Sequence, residues 1–154
     1  MNREKRYGLA NRALESCIEE NAEGKVILVE GKRDEEALRD MGFKGTIELL
    51  NRGWDQSRLI AYLYDTYGSI NPIDSGPPVI VLMDWDRTGD RLQKEITTRL
   101  QSLDIAIDLE PRRTLSRAFR PETLCVEGIR KFISDLRPLI DVNDPEGADE
   151  LHLL

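Results

Sequence analysis

Hydrophobic positions along the chain alternate between helical spacing and the short unbroken runs that are typical of buried strands. Residues 1–23 carry an apolar stripe at helical spacing, with Asn2 as the expected cap and Gly24 as the expected stop. The pattern that follows predicts strands at 25–30, 46–50, 79–83 and 105–110, and helices at 33–41, 56–67, 90–102 and 127–136. The chain is therefore expected to begin with a helix and to continue as alternating strands and helices.

This alternation indicates an α/β fold of Rossmannoid type, in which a four-stranded, mostly parallel sheet is flanked by helices. The run 79–83 is apolar throughout and is expected at the centre, whereas 105–110 alternates apolar and polar residues and is expected at an edge. Right-handed crossovers fix the hand of such a fold, and we infer the strand order 2-1-3-4. We expect residues 1–24 to pack as an extra helix on a domain spanning 25–140, with an acidic tail at 141–154.

The composition is that of one globular domain in an acidic chain. The 154 residues are 40% hydrophobic, and 22 basic against 29 acidic residues give a net charge of −7. Residues 111–131 nevertheless carry six basic and two acidic side chains, a balance that suits either a nucleic-acid backbone or a solvated surface. No apolar run approaches the roughly 20 residues of a membrane helix. The first 12 residues lack the apolar segment of a signal peptide, so we expect a soluble, cytoplasmic protein without a membrane partner.

The cysteines and the histidine restrict the chemistry. Cys17 and Cys125 are far apart and form no C-x-x-C spacing, and the one histidine, His152, lies in the acidic tail. A disulfide framework, a zinc site and a catalytic triad built on histidine are therefore not expected. Any catalysis must rest on carboxylates, lysine, arginine, hydroxyl groups and a hard metal ion.

Acidic side chains follow two predicted strands at the point where each strand ends. Glu30 ends the first strand and is followed by Gly31, while Asp84 and Asp86 follow the third strand. Residues i and i+2 of an extended segment project to the same side, so both aspartates can face one ion. If the first and third strands are neighbours, three carboxylates converge, and their repulsion favours a bound divalent cation. Oxygen ligands of this kind suit Mg²⁺ or Mn²⁺.

Two segments resemble the signature segments of the Toprim domain: VILVEGKRDEEAL at 26–38 and VIVLMDWDRTGD at 79–90. That domain is the shared catalytic module of topoisomerases, bacterial-type primases, OLD-family nucleases and the ribonuclease M5 group. The E-G-K-x-D form of the first segment looks most like the small stand-alone primase-like proteins and the ribonuclease M5 group. The resemblance covers about 25–110. It implies a Toprim-like fold and Mg²⁺-dependent nucleotidyl transfer or phosphodiester hydrolysis on RNA or DNA.

The resemblance implies roles for particular residues. Glu30 is similar to the family glutamate that acts as general acid/base or as a metal ligand, and Asp84 and Asp86 are similar to the D-x-D pair that holds Mg²⁺. Gly31 matches the glycine after that glutamate, and a weaker correspondence links the ribonuclease M5-like pattern to Lys32, Asp34, Asn51 and Gly89. The residues expected to contact substrate are Gly31, Lys32, Asn51, Arg112 and Arg113. The 154 residues hold neither a tyrosine-nucleophile domain nor a zinc-binding primase domain, so complete topoisomerase or primase activity is not expected.

Ordinary structural roles compete with these assignments. Glu30 can cap a helix or pair with a basic residue, and Lys32 can be a solvated side chain. Asp86 and Asp90 can each cap the helix predicted at 90–102, and Asp90 is the favoured cap.

The arginines and aromatic residues allow the same two kinds of interpretation. Arg112 and Arg113 can clamp phosphate or lie on the surface. Trp85, between the two aspartates, can stack on a base or pack against the sheet edge. Trp54 is interpreted as a core or helix-start residue rather than a stacking platform, and the tyrosines assigned to the core are Tyr62, Tyr64 and Tyr67.

Two other functions are compatible with part of this pattern. A Toprim-like module can bind Mg²⁺ and nucleic acid without cutting, as part of a protein complex, through the same carboxylates. A phosphatase of the haloacid dehalogenase type would use Asp84 as nucleophile and Asp86 as acid. That motif normally opens its domain, whereas 78 residues precede this strand, and it leaves Glu30 unexplained. A receiver-type phospho-acceptor domain fits less well, because it needs an acidic pair after its first strand.

Overall fold

The computed structural model describes residues 1–132 of the chain. In chain order the elements are α1 (Arg3–Ala22), β1 (Val26–Val29), α2 (Lys32–Met41), β2 (Ile47–Leu49), α3 (Gln56–Tyr67), β3 (Val79–Val81), α4 (Arg87–Ser102), β4 (Ile107–Asp108), α5 (Glu110–Phe119) and α6 (Val126–Ile129). A short 3-10 helix at Arg130–Phe132 follows. The predicted acidic tail and His152 lie outside the described residues.

The four strands form one parallel sheet in the order β2-β1-β3-β4. Ile27 of β1 lies between Ile47 of β2 and Ile80 of β3, which sets the register of the three strands. Every residue of β1 and β3 is buried, as expected for strands covered on both faces. The predicted α/β class and strand order are therefore confirmed.

Two helical layers cover the sheet, because alternate strand residues point to opposite faces. On one face, Ile27 and Val29 share a core with residues of α1, α2, α5 and α6. On the other face, Val26 and Leu28 share a core with residues of α3 and α4. The helix after β1 and the helix after β3 thus lie on opposite faces of adjacent strands. In α/β sheets the carboxyl ends between two such helices form the usual ligand-binding crevice, and we call this region the crevice.

Several predicted boundaries are wrong. The helix predicted at 90–102 begins at Arg87, because Asp86 rather than Asp90 caps it. The edge strand is limited to Ile107–Asp108, since α5 starts at Glu110 within the range assigned to the strand and no helix was expected there. The last predicted helix starts at Val126 and turns to 3-10 geometry at Arg130, and its end lies outside the described residues.

Candidate active site

The carboxyl ends of β1 and β3 bring the two signature-like segments together. The backbone N–H of Asp84 donates to Oε1 of Glu30 at 3.0 Å, across 54 positions of sequence. The N–H of Val126, at the start of α6, donates to Oδ1 of Asp84 at 2.8 Å. These two bonds fix the Glu30 carboxyl against the backbone of Asp84, and the Asp84 carboxyl against the start of α6, at the same edge of the sheet.

Asp86 lies at the mouth of the crevice as the N-cap of α4. Its Oδ1 accepts from the N–H of Gly89 at 2.7 Å, and its side chain is exposed. Trp85, between the two aspartates, is 1% exposed and donates from Nε1 to the carbonyl oxygen of Thr123 at 2.7 Å. Because Trp85 packs inward, its neighbours on either side, Asp84 and Asp86, are directed away from the core.

The loop after β1 contributes Gly31, Lys32 and Asp34. Oδ2 of Asp34 accepts from the N–H of Gly31 at 3.1 Å, which starts α2 and buries Asp34 to 8% exposure. Lys32 is exposed at the first position of that helix. Asn51 lies beside this loop, since its N–H donates to the carbonyl oxygen of Glu30 at 2.9 Å. The structure therefore gathers all four residues around Glu30.

Arg112 and Arg113 are placed differently. Arg112 donates to the carbonyl oxygens of Met83 and Asp84 at 3.0 and 2.7 Å, and it pairs with Asp90 at 2.7 Å. Its side chain is only 15% exposed, so it fixes the backbone that leaves β3. Arg113 is 66% exposed and pairs with Glu110 on its own helix. Contact of either arginine with phosphate stays a prediction.

The crevice concentrates negative charge in a partly desolvated place. Burial raises the pKa of the Asp84 carboxyl to about 7, and neighbouring carboxylates act in the same direction. Those neighbours are Asp34, Glu30 and Asp86. Burial also raises the pKa of Glu30, with further contributions from Asp34 and Asp86. The charged forms are therefore disfavoured unless a cation or a proton compensates them.

The oxygen donors of the crevice suit a hard divalent cation in an open site. Within residues 1–132, no three Asp, Glu, His or Cys side chains are already arranged around one ion. Mg²⁺ is commonly held by one or two carboxylates, with water and phosphate oxygens completing its shell. Asp84 and Asp86 can supply these two carboxylates, so the residues present fit an Mg²⁺ ion whose remaining ligands are water and phosphate oxygens.

The chain has clear relatives. It is 32% identical over 135 residues to a UPF0292 protein of Methanosarcina barkeri, and the match spans 86% of each chain. A UPF0292 protein of Thermococcus gammatolerans is 30% identical over 78% of this chain and 80% of its own. The chain belongs to the UPF0292 family. No protein-family model matches it.

A solved structure from Aquifex aeolicus shares the fold of this UPF0292 chain. The match has a TM-score of 0.57 and 22% identity, and it covers 75% of this chain and 94% of that one. Such a likeness concerns the architecture alone. Within residues 1–132 of the UPF0292 chain, no helix is long and apolar enough to cross a lipid bilayer.

Two contributions to the site were missed from the sequence of this UPF0292 protein. One is the N–H of Val126, which carries no side-chain signal. The other is the inward position of Arg112. Two signals could have predicted the position of Arg112, because together they mark an amphipathic helix with Arg112 on its first turn. They are a proline near a helix start, Pro111, and the helical spacing of Leu115, Ala118 and Phe119.

The raised pKa of Asp84 predicts a pH dependence of stability in metal-free protein. The folded-state pKa of about 7 exceeds the unfolded value near 3.9, so stability should fall as pH rises from about 4 to about 7. Asp84→Asn should reduce this slope, to which Glu30 also contributes, and raise the free energy of unfolding at pH 8 by about 1–2 kcal/mol, after allowance for solvent screening. Urea unfolding in chelator at several pH values measures both. Asp65→Asn, an exposed change on α3, is the control, and a mutant slope equal to that of wild type would contradict the assignment.

Proposed function

We propose that the crevice supports Mg²⁺-dependent Toprim-type phosphodiester chemistry, either nucleotidyl transfer or hydrolysis, on RNA or DNA. The observation that carries the proposal is the 3.0 Å hydrogen bond between Asp84 and Glu30. It joins two segments that each resemble a Toprim signature, at the place in an α/β sheet where ligands commonly bind.

Glu30 is the group that we assign to proton transfer. Its Oε1 accepts from the backbone of Asp84, and within residues 1–132 its Oε2 has no hydrogen-bond partner. The raised pKa of Glu30 brings proton uptake and release closer to neutral pH, as a general acid or base requires. Oε2 is thus available to take a proton from the attacking oxygen or to give one to the leaving oxygen.

Asp84 and Asp86 are the residues that would hold Mg²⁺, and a bound Mg²⁺ would stabilise the negative charge that develops on the phosphate oxygens. Asp84 keeps Oδ2 for this purpose while Oδ1 is held by Val126. Lys32 and Asn51 border the same crevice and are available to the substrate backbone. Arg113 is the more accessible of the two predicted arginine contacts.

A non-catalytic module that binds Mg²⁺ and nucleic acid is the second candidate. One observation favours it: no set of three ligands surrounds a common point within residues 1–132, while Asp84 and Asp86 each keep one carboxylate oxygen that can bind a cation. Such a module would bind the same partners through the same residues, so cleavage or joining is the property that separates the two candidates.

The first experiment tests metal and substrate together. Wild-type protein should bind Mg²⁺ in calorimetric titration and should cut or join at least one member of a labelled panel of structured RNA and single-stranded DNA. The Asp84→Asn, Asp86→Asn double variant should bind Mg²⁺ at least tenfold more weakly, because both ligands lose their charge. Asp65→Asn with Asp104→Asn makes the same change in net charge at two exposed positions and serves as control. Equal Mg²⁺ affinity in all three proteins would rule out the site.

A further inference from the structure

An aromatic and basic cluster lies next to the crevice, at the carboxyl end of β2. The chain turns there through Asn51, whose N–H bonds the carbonyl oxygen of Glu30 at 2.9 Å. Gly53 completes the turn with φ +79°, a conformation that favours glycine. Trp54 follows, three residues after Asn51, so its backbone lies within about 10 Å of Asn51 even at full extension. Trp54 therefore lies in the loop that follows β2, the strand that pairs with β1 and so lies beside Glu30.

Two guanidinium groups contact the half-buried Trp54 ring. The Arg58 guanidinium carbon lies 4.1 Å from the ring centroid, and that of Arg52 lies 5.0 Å from it. Tyr62 meets the indole edge-on at 5.3 Å. We call Arg52, Trp54 and Arg58 the Trp54 cluster. Arginine and tryptophan side chains in contact are the combination on which single-stranded nucleic acids stack and neutralise charge.

The buried carboxylate of Glu48 holds the Arg52 side of this cluster in place. Glu48 is 8% exposed and accepts hydrogen bonds from Tyr62 at 2.6 Å, from Arg52 at 2.9 Å and from Tyr67. Burial acts to raise the pKa of Glu48, but these hydrogen bonds outweigh it and lower the pKa, so the carboxylate stays ionised. Arg52 also donates to the carbonyl oxygen of Leu49 at 2.6 Å. Its guanidinium is therefore fixed in place, and its charge is compensated.

The Arg58 guanidinium, unlike that of Arg52, is not fixed by such hydrogen bonds. Its side chain contacts Trp54, and within residues 1–132 no carboxylate or carbonyl oxygen accepts a hydrogen bond from its guanidinium. Arg58 is exposed on the first turn of α3. The cluster thus combines a guanidinium that is fixed by hydrogen bonds, that of Arg52, with an exposed guanidinium, that of Arg58, whose N–H groups are available to a ligand.

We propose that the Trp54 cluster binds one nucleotide of a single-stranded nucleic acid whose backbone continues into the Glu30 crevice. The base replaces the Arg58 guanidinium on the Trp54 ring, and the released guanidinium binds the adjacent phosphate. This inference rests on the proposed function, because it places a flanking nucleotide on the β2 side of the reacting phosphodiester. RNA and DNA share the chemistry that the cluster recognises.

The two tryptophans of the chain make the inference measurable. Trp85 is 1% exposed but lies between Asp84 and Asp86 at the crevice, so the part of a fluorescence change that is lost in Trp54→Phe is the part that reports Trp54. Oligo(U) and oligo(dT), added separately in chelator, should each quench the emission of the full-length protein in a saturable way, and the ratio of their affinities measures the preference of the protein for one strand over the other. Trp54→Phe should lose the quench. Trp54→Ala should weaken binding of labelled strands about tenfold in anisotropy titrations.

Arg58→Ala should weaken binding several-fold and reduce the salt dependence of the affinity. Arg12→Ala removes the same charge from α1, on the opposite face of the sheet, and should change the affinity less than twofold. Absence of strand binding, a quench of undiminished size in Trp54→Phe, or equal losses in Arg58→Ala and Arg12→Ala would each overturn the inference. Trp54→Phe keeps the test decisive if the alanine variant does not fold.

The outcomes also separate this inference from the proposed function. Glu30-dependent cleavage without a Trp54 quench would keep the proposed function and overturn the nucleotide position. A Trp54 quench without cleavage would keep the nucleotide position and favour the non-catalytic module.

Discussion

Glu30→Gln should lower the rate of Mg²⁺-dependent cleavage or transfer by a factor of about 10²–10⁴, the usual contribution of a general acid or base. Glutamine is isosteric, and its Oε1 can still accept the N–H of Asp84 that glutamate accepts at 3.0 Å. The variant loses the second carboxylate oxygen, Oε2, which in glutamate can exchange a proton with a reacting oxygen. The fold and the position of Asp84 should therefore survive while the chemistry stops.

Initial rates on the cleaved member of the nucleic-acid panel, measured from pH 5 to 9, provide the test. The rate of the wild type should depend on pH through a carboxyl group that titrates above its ordinary range, because burial and nearby carboxylates raise the pKa of Glu30. The rate of the variant should lack this dependence. Glu36→Gln, an exposed change on α2, should leave the rate within about twofold. A rate that survives in Glu30→Gln would remove Glu30 from proton transfer and leave the metal site as the source of catalysis.

Gly89→Ala should destabilise the protein by about 3 kcal/mol, although alanine normally stabilises a helix relative to glycine by about 0.5–1 kcal/mol. Gly89 is the third residue of α4, and a Cβ there would lie 2.0 Å from the carbonyl oxygen of Asp84. The Asp84 oxygen belongs to the backbone and the position of a Cβ is fixed by its own backbone, so no side-chain rotation can relieve the clash. The helix must instead withdraw from the strand end, which breaks the hydrogen bond that Asp86 makes to Gly89.

Urea unfolding of Gly89→Ala measures this loss. Thr88→Ala introduces the same side chain one position earlier, at an exposed site, and should change the free energy of unfolding by less than about 0.5 kcal/mol. A Gly89→Ala variant as stable as wild type would show that α4 can move away from Asp84 at little cost, and the rigid geometry inferred for the crevice would then be wrong.

The sheet was predictable because its inner strands carry a strong signal. Unbroken apolar runs gave β1 and β3, and strict alternation with helices implied parallel pairing and the observed order. The same reasoning placed Glu30 and Asp84 at one edge, since the carboxyl ends of neighbouring parallel strands must meet.

Local chemistry was harder to predict. Asp86 and Asp90 are equally good capping residues, and the choice depends on how closely α4 approaches Asp84, which Gly89 permits. In α5, several arginines obscured the apolar spacing and suggested a surface segment. Trp54, interpreted as a core or helix-start residue, directly precedes the N-cap of α3 and packs half-buried against the core under two arginines. Tyr64, assigned to the core, is 45% exposed.

The strand end that bears Asp84 is held from outside the segment that resembles Toprim. Arg112 binds the carbonyl oxygens of Met83 and Asp84, Leu124 accepts the N–H of Trp85, and Val126 donates to the Asp84 carboxylate. Grafting 25–110 onto another protein would therefore transplant the acidic groups without their alignment. A segment that keeps this alignment when it is transferred to another protein must extend at least through α6.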